Sequence, residues 1–297
     1  MDTQNLAAFC AVADCGSFSE AAGRLFITQP AISKRIANLE NQLDCRLFDR
    51  IGRSVELTAE GQLLLPNARH ILQTLADSRQ ALIDLKGGVG GQLRLACSHH
   101  IGLHRLPALL KGYRQTYPEV DIQVSFLDSE AAYDDIRHGR HDLALVTLST
   151  DPGQDLVTER WWPDPMVFMC ANHHPLAHRK NILAQDLVTY PALLPDPYSE
   201  TTRLILQAFN QQGLEPGIAN TTKSLDALRM LAEAGLGWTV LPNRLKTDQL
   251  TALKVTSFNA PLHRDLGCIR HKDRSLNNAA RAFLTLANKM PEREPGL

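Results

Sequence analysis

The chain has 297 residues, of which 44% are hydrophobic and 21% are charged. This ordinary globular composition excludes a mostly disordered chain and a collagen-like chain. At roughly 100–200 residues per domain, the length predicts two or three domains. Lys and Arg total 31 against 32 Asp and Glu, which excludes a uniformly basic nucleic-acid coat. Any contact with nucleic acid must therefore be local.

The sequence contains no signal for a membrane or for export. No run of 18 or more apolar residues occurs, so no membrane-spanning segment is predicted. The first five residues lack the basic start and the apolar stretch of a signal peptide. The six cysteines form no C-x-x-C pair, and a chain of this length needs no disulfide to fold. We therefore expect a cytoplasmic protein with reduced thiols.

The first sixty residues carry local signals for the ends of helices. An amphipathic helical face begins at Leu6 and stops before Gly16. The motif Ser17-Phe18-Ser19-Glu20 is a capping box that begins a second, short helix. Alanines on the apolar side of this second helix would allow another helix to approach closely.

A third helix is predicted to begin after Thr28, a good N-cap, with Pro30 in the first turn, where proline is tolerated. Its apolar stripe, spaced by four, three and four residues, is Ile32, Ile36, Leu39 and Leu43. Its opposite side, with Arg35 flanking the stripe, carries Pro30, Ser33, Lys34, Ala37 and Asn38. The second and third helices with the tight turn between them form a helix-turn-helix, whose last helix fits a B-DNA major groove about 12 Å wide.

Residues 47–57 predict two short strands around a tip that contains Gly52. Arg50 and Arg53 lie near this tip, where they could reach phosphates or a narrow minor groove. A helix-turn-helix followed by a basic hairpin is a winged helix. The alternative is a solvated helix face followed by a salt-bridged hairpin with no nucleic-acid partner.

The first sixty residues resemble the DNA-binding head of a LysR-type transcriptional regulator. The resemblance is carried, in order, by Ser17-Phe18-Ser19-Glu20-Ala21-Ala22, Thr28-Gln29-Pro30-Ala31-Ile32-Ser33, Leu39-Glu40, Leu47-Phe48-Asp49-Arg50 and Leu57-Thr58-Ala59-Glu60-Gly61. It implies that the residues facing the DNA major groove are Gln29, Pro30, Ser33 and Lys34. It also implies that Arg50 and Arg53 contact DNA from the wing.

Thr58 is predicted to cap a long helix that runs to about residue 86. A coiled-coil seam repeats along it at Leu64, Ala68, Ile71, Leu75, Ser78, Leu82 and Leu85. LysR-type relatives use this segment to pair two DNA-binding heads, which implies a pseudo-palindromic operator. The alternative is an amphipathic helix packed on its own chain. The glycine run at residues 87–91 follows a helix rather than a strand, so it indicates a hinge and not a phosphate-binding loop.

Strands and helices alternate from about residue 92 onward, which predicts a mainly parallel α/β sheet. The expected architecture is a multidomain one. An all-α winged helix-turn-helix head covers residues 1–60, and a linker and dimerisation helix with its hinge covers residues 61–91. An α/β effector domain covers residues 92–297, with subdomain I at about 92–161 and 266–297 and subdomain II at about 162–265.

The pieces Gly139-Arg140-His141-Asp142-Leu143-Ala144, His174-Pro175-Leu176-Ala177 and Ala234-Gly235-Leu236-Gly237 resemble the effector domain of the same family. The resemblance implies two α/β subdomains of periplasmic-binding-protein type with a cleft between them. Ligands of such sheets bind beyond strand C-termini and at helix N-termini. That rule selects Ser98, His99, His100, Thr147, Ser199, Thr201 and Thr202. Ordinary helix capping is the alternative role for each of them.

The pattern Ser98-His99-His100, with Thr147 and Thr202, resembles the branch of the family that regulates sulfur assimilation. Regulators of that branch recognise sulfate-like or acylated amino-acid effectors. Hydroxyl side chains occupy the positions of Ser98 and His100 in that branch, so His100 departs from its pattern. We therefore expect a small anion, either sulfate or an organic acid, as the effector.

Three other kinds of chemistry are weakly supported. The histidine pairs at 99/100, 138/141 and 173/174 fall in different predicted loops, without a Cys or carboxylate at metal spacing. Cys97, Cys170 and Cys268 are far apart in sequence, whereas a peroxide switch needs two thiols that meet. No G-x-S-x-G, H-E-x-x-H or Walker motif is present, so the sequence gives no support for an enzyme.

The sequence thus predicts a DNA-binding transcriptional regulator that is not an enzyme and has neither cofactor nor metal. A small effector between the two α/β subdomains would change its activity by favouring one arrangement of them. Its expected partners are a pseudo-palindromic promoter site, further copies of itself as a homodimer or homotetramer, and RNA polymerase. A solute-binding or enzymatic α/β protein with an accessory helical head is the competing interpretation.

Overall fold

The computed structural model describes residues 2–51, 54–84, 88–258 and 261–289. Its internal contacts divide the chain into two compact units, with the main boundary between residues 88 and 89. Each unit is described by itself below. Within the described ranges, no helix is both long enough and apolar enough to cross a membrane.

The first unit is a winged helix followed by a long helix. Its elements are α1 (Thr3–Cys15), α2 (Phe18–Arg24), α3 (Gln29–Leu43), β1 (Phe48–Ile51), β2 (Ser54–Leu57) and α4 (Ala59–Asp84). The sequence signals for helix ends are largely confirmed. Gly16 ends α1 with a left-handed φ of 61°, and the Ser17 hydroxyl accepts the Glu20 N–H at 3.3 Å. The Thr58 hydroxyl accepts the Gly61 N–H at 3.0 Å at the start of α4.

Thr28 is the exception among these caps. It occupies the N-cap position of α3 with an extended backbone, but its side chain makes no capping hydrogen bond within the described part of the chain. Pro30 supplies the favourable geometry instead, because its fixed φ suits the first turn of a helix. The prediction of a helix beginning here is confirmed, whereas the expected hydroxyl cap is wrong.

The core of the first unit forms where α1, α2 and α3 meet the wing. The predicted stripe of α3 is buried at Ile32, Ile36 and Leu39. The Phe48 ring, on β1, lies 5.3 Å from the Phe9 ring and 6.0 Å from the Phe18 ring. These three rings and the aliphatic stripe exclude water from the centre of the unit, so the opposite side of α3 is left to the solvent.

The two halves of α4 have different surroundings. Ala68 is fully buried in the core of the first unit, and Leu64 and Ile71 pack against that core. Further along, Leu75 is 43% exposed and Leu82 is 65% exposed. The early part of the predicted coiled-coil seam therefore covers its own chain, as the alternative interpretation expected. Among the described seam residues, the apolar side chains left exposed belong to the later part, where a second chain could cover them. Leu63, which lies off the seam, is also exposed.

The second unit alternates strands and helices in two stretches. The first contains β3 (Gly91–Cys97), α5 (His99–His104), α6 (Leu106–Thr116), β4 (Val120–Phe126), α7 (Ser129–Arg137), β5 (Leu143–Thr147) and β6 (Leu156–Ala171). The second contains α8 (Ala184–Leu187), β7 (Ala192–Pro195), α9 (Glu200–Asn210), β8 (Ile218–Thr222), α10 (Leu225–Glu233), β9 (Trp238–Pro242), β10 (Leu250–Ala252), β11 (His263–His271) and α11 (Asn278–Lys289).

These strands form one sheet in the order β4-β3-β5-β11-β6-β9-β7-β8, with β10 beside β6. The neighbours β4-β3-β5 are parallel, and so are β9-β7-β8. The antiparallel strands β11 and β6 join these two parallel groups. Two parallel groups joined by strands that cross between them are the expected architecture of a two-subdomain effector domain.

The strand directions determine where polar loop residues gather. The carboxyl end of β3 is followed by Ser98, β5 ends at Thr147, and β7 is followed by Asp196. Buried apolar clusters cover the faces of both parallel groups. Because ligands of α/β sheets bind outside the carboxyl ends of parallel strands, these loops are the place to look for a ligand site.

Candidate functional site

The exposed side of α3 is a polar surface directly opposite the buried stripe. Gln29, Pro30 and Lys34 are exposed on it, and Ser33 is half-buried. The Gln29 amide donates to the Ser33 hydroxyl at 3.1 Å, so the two side chains lie side by side within one helical turn. Side chains with amide, hydroxyl or ammonium groups can hydrogen-bond to base edges or bind phosphates.

Arg35 has a different role from its neighbours on α3. Its guanidinium donates to the Gln4 side chain of α1 at 2.8 Å, so it fastens two helices of the head together. This contact explains why Arg35 flanks the apolar stripe rather than joining the exposed polar surface.

The wing is fixed to α3 by Glu40, whose carboxylate accepts the Leu47 N–H at 2.8 Å. Arg50 lies on β1 opposite Val55 of β2, and Arg53 lies outside the described residues. A concavity of about 560 Å³ separates α3 from β1, and its walls include Ser33, Ala37 and Arg46. The sequence analysis did not include the exposed Arg46 among the site residues, because the concavity that it lines with Ser33 and Ala37 exists only in the folded head.

The second unit contains a cleft of about 340 Å³ at the carboxyl ends of its parallel strands. Six of the seven predicted effector residues line it: Ser98, His99, His100, Thr147, Ser199 and Thr201. They come from three segments, at the carboxyl ends of β3 and β5 and at the start of α9, which the sheet topology brings to one place. Thr202, the seventh, is absent from the wall of this cleft. It is fully buried, and its hydroxyl donates to the Pro195 carbonyl at 3.0 Å.

Arg264 lies at the closed end of the cleft and was not foreseen from the sequence. It is 6% exposed, and it sits on β11 directly opposite Asp164 of β6. Its Nε donates to the Asp164 carboxylate at 2.8 Å, and its Nη1 donates to the Thr201 hydroxyl at 2.9 Å. Nη2 has no hydrogen-bond partner among the residues that the structure describes. Asp164 already offsets the charge of Arg264, but a buried guanidinium with an unused donor in a cleft wall can still donate a hydrogen bond to an anion.

His100 is the second buried polar group of the cleft wall. Burial lowers the pKa of its imidazole to about 2, and the positive charge of Arg264 acts in the same direction. The ring is therefore neutral at physiological pH. Its Nε2 lies 3.8 Å from the Asp164 carboxylate, and neither ring nitrogen hydrogen-bonds to another described residue. A neutral imidazole can offer a ligand one hydrogen-bond donor and one acceptor. Because the ring carries no charge, the charge of an anionic ligand would be met by Arg264.

Contacts cross the cleft from one parallel group to the other. The Lys223 ammonium, after β8, lies 2.6 Å from the Asp128 carboxylate, after β4. The Glu200 N–H at the start of α9 donates to the Glu130 carboxylate of α7 at 3.2 Å. A ligand in the cleft would therefore contact both parallel groups at once. Its binding could change how the two sides of the cleft are held together.

The other chemistries considered from the sequence find no site among the described residues. No group of three or more His, Cys, Asp or Glu side chains in the described ranges is arranged to hold a metal ion. Burial raises the pKa of Cys97 to about 12 and that of Cys170 to about 11, and it raises the pKa of Cys268 too. Buried thiols with raised pKa values are poor nucleophiles, which argues against a peroxide switch.

Two family models match successive parts of the chain. Residues 3–62 match the bacterial regulatory helix-turn-helix model of the lysR family. Residues 86–291 match the LysR substrate binding domain. The chain belongs to the LysR family of transcriptional regulators. It is a DNA-binding regulator with an effector domain and not an enzyme.

Individual relatives of this LysR-family chain are regulators as well. It is 64% identical over 107 residues to an HTH-type transcriptional regulator of Azotobacter vinelandii, covering 36% of this chain and 74% of that one. It is 33% identical over 252 residues to a probable nitrogen assimilation transcriptional activator of Synechococcus elongatus, covering 84% of this chain and 81% of that one. The fold matches full-length CbnR in complex with its target DNA, with a TM-score of 0.67, 21% identity, and coverage of 97% and 99%.

Proposed function

We propose that this LysR-family regulator reads its operator through the exposed side of α3 and pairs through the later part of α4. In this proposal it changes its activity when a small anion binds against Arg264 in the cleft. The unused Nη2 donor of the buried Arg264 is the observation that carries the anion assignment.

The DNA assignment rests on the division of α3 into two sides. The buried stripe holds the helix in the head, and the exposed Gln29 and Lys34, with the half-buried Ser33, remain available to base edges and phosphates. Arg50 and Arg53 of the wing would add phosphate contacts, and Arg46 lies close enough to α3 to join them. Such a regulator acts where the chromosome is, in the cytoplasm, and RNA polymerase is the partner through which bound regulators commonly act.

The pairing assignment rests on α4. Leu75 and Leu82 lie on the predicted seam, one heptad apart, and both are exposed. Covering these side chains with the same surface of a second chain would bury apolar area in a two-fold arrangement. Two heads related by a two-fold axis would read a pseudo-palindromic site, and a homodimer or a pair of homodimers satisfies this geometry.

The effector assignment rests on the chemistry of the closed end of the cleft. The Thr201 hydroxyl contacts the buried Arg264, Ser98 and Thr147 line the same cleft, and α9 begins at the same edge of the sheet. These are donors that suit a carboxylate or a sulfate. The resemblance to sulfur-assimilation regulators adds sulfate to the anions that should be tried first.

Thr147→Val tests this assignment because it removes one hydroxyl and keeps the shape of the side chain. The backbone N–H of Thr147 already donates to the Ser129 hydroxyl at 3.1 Å, so the fold keeps that contact. The purified full-length protein is titrated with sodium sulfate and with sodium salts of carboxylic, hydroxy and amino acids. A bound anion raises the melting temperature with its concentration.

We expect Thr147→Val to weaken the binding of that anion at least about tenfold, the usual cost of a lost charge-assisted hydrogen bond. DNA affinity without the anion should stay unchanged. Thr285→Val, on α11 and away from the cleft, is the matched control and should bind like the wild type. If Thr147→Val binds the anion with wild-type affinity, the proposed effector site in the cleft is wrong.

A further inference from the structure

The wall of the cleft carries charges of both signs, and two of its carboxylates lie nearer to the solvent than its buried cation. The cation Arg264 lies at the closed end and is almost completely buried. Five carboxylates line the rest of the wall: Asp128, Glu130, Asp196, Glu200 and Asp226. Glu130 is exposed and Asp196 is half-buried, although Glu200 is only 7% exposed. The negative charge of Glu130 and Asp196 therefore lies nearer to the solvent than the charge of Arg264. A ligand that merely carried negative charge would pass these carboxylates before it reached Arg264.

The carboxylates outnumber the cations available to them. Lys223 is paired with Asp128 at 2.6 Å, and this hydrogen bond raises the pKa of its ammonium. The charges of Asp196 and Glu130 act on the same ammonium in the same direction. One lysine thus stands among three carboxylates, and the outer part of the cleft keeps a surplus of negative charge.

Two of the five carboxylates form no ion pair with a described lysine or arginine, although both act on the Lys223 ammonium from a greater distance. Glu200 pairs with Arg203, and Asp226 pairs with Arg229 at 3.1 Å. Within the described residues, neither Glu130 nor Asp196 lies within ion-pair distance of a lysine or arginine. Glu130 accepts only the Glu200 N–H, and Asp196 accepts the Tyr198 N–H at 2.9 Å. These two carboxylates belong to opposite sides of the cleft, on α7 and after β7.

The unpaired carboxylate and the buried cation are held by neighbouring residues. Glu130 contacts the Glu200 N–H at 3.2 Å, and Arg264 contacts the hydroxyl of the next residue, Thr201, at 2.9 Å. Both ends of the charge pair are therefore anchored on the first turn of α9. A ligand that carries both charges would meet a partner for each at this turn.

We infer that the ligand of this cleft is a small zwitterionic amino acid, with its carboxylate on Arg264 and its ammonium between Glu130 and Asp196. This inference rests on the proposed function, in which the ligand carries a negative charge, and it adds a positive charge to the same ligand. An ammonium held from both α7 and the β7 loop would draw the two sides of the cleft together. Such a ligand binds one arrangement of the subdomains better than another, as a population shift requires.

Matched pairs of ligands test the inference. The purified full-length protein is titrated calorimetrically with α-amino acids and longer ω-amino acids, and with hydroxy acids of the same carbon skeletons. Replacing the ammonium by a hydroxyl removes one charge and keeps the carboxylate. We expect the amino acid that binds to lose affinity about ten- to a hundredfold in this replacement, as for a charge-assisted hydrogen bond.

Asp196→Asn should abolish this preference for the amino acid and leave the weaker binding of the hydroxy acid unchanged. Asp226→Asn changes the charge of the cleft wall equally, but Asp226 is already paired, so this control should keep the preference. Arg264→Lys should weaken the binding of both ligands, because lysine has no planar pair of donors.

The outcomes separate this inference from the proposed function. If a hydroxy acid, a plain carboxylate or sulfate binds as tightly as every amino acid, the ligand is a simple anion and the zwitterion inference is overturned. If amino acids bind but Asp196→Asn and Glu130→Gln keep the full preference, the assigned ammonium site is wrong. If no ligand of any class binds, both this inference and the effector proposal fail, while the DNA assignment stands.

Discussion

Two threonines of the second unit should respond in opposite directions to the same substitution. Thr239, on β9, is fully buried, and its hydroxyl has no hydrogen-bond partner among the described residues. Its cross-strand neighbours are Met169 and Leu193, both fully buried in an apolar cluster. Thr202 is equally buried, but its hydroxyl donates to the Pro195 carbonyl at 3.0 Å.

The magnitudes follow from what each hydroxyl does. A buried hydroxyl without a partner costs about 1–3 kcal/mol, so Thr239→Val should raise the free energy of unfolding by about 1 kcal/mol. Thr202→Val removes a satisfied hydrogen bond and should lower it by about 1 kcal/mol. For a unit of this size, either change corresponds to a shift in melting temperature of about 2–4 °C.

Tryptophan fluorescence during urea unfolding measures the free energy of unfolding of the two variants. The three tryptophans, Trp161, Trp162 and Trp238, all belong to the second unit, so the first unit does not contribute to the signal. Both variants should bind DNA and the anion of the cleft like the wild type. A loss of stability in Thr239→Val as large as that in Thr202→Val would refute the reasoning about its unpaired hydroxyl.

Three further substitutions test other parts of the structure. Gly61→Ala should destabilise the head by about 1–3 kcal/mol in thermal unfolding, because a Cβ there would lie 2.2 Å from the Leu47 carbonyl oxygen. Gly23→Ala, with open space around it, should not destabilise the head; equal losses would contradict the close approach. Leu82→Glu should dissociate the dimer in analytical ultracentrifugation, since Leu82 is exposed on the seam, whereas Ala76→Glu beside the seam should not; an intact Leu82→Glu dimer would place the pairing surface elsewhere. The lowered pKa of His100 means that the unfolded chain binds the extra proton as the pH falls below about 6.5, so stability is lost on acidification. Between pH 7.5 and 5.5 the wild type should lose about 1.4 kcal/mol more than His100→Asn in urea unfolding, and parallel profiles would show that His100 titrates normally.

The head was largely predictable because its signals are local. Helix ends at Gly16 and Ser17, the apolar stripe of α3 and the cap at Thr58 each depend on residues a few positions apart. The winged helix then follows from packing these short segments on one another. The missing hydroxyl cap at Thr28 shows the limit of such rules, since a suitable residue type does not ensure the hydrogen bond.

The cleft was only partly predictable for the opposite reason. The rule about strand ends found Ser98, Thr147 and Thr201, because each follows a strand or begins a helix. It could not separate Thr201 from Thr202, because helix phase decides which hydroxyl faces the cleft and which faces the Pro195 carbonyl. Arg264 is the second residue of β11 and lies 100 positions from its partner Asp164. Only the antiparallel register of β11 and β6 brings them together.

The seam of α4 illustrates a third limit. Heptad spacing shows which residues share a side of a helix, but it does not show what covers that side. Ala68 and Leu82 belong to the same predicted stripe, yet one is buried in the head and the other is exposed. The head packs against α4 at Ala68 and leaves Leu82 exposed. This difference depends on tertiary structure, which heptad spacing does not show.

The central claim is that the exposed side of α3 selects a DNA sequence. Purified protein should be mixed with sheared genomic DNA of its source, and the retained fragments should be sequenced, with a Ser33→Ala, Lys34→Ala double variant in parallel. The account predicts that the wild type enriches fragments sharing an inverted repeat, and that the folded double variant loses this enrichment while keeping weak, salt-sensitive binding. Equal enrichment by both proteins, or no enrichment by the wild type with or without anions of the cleft, would contradict it.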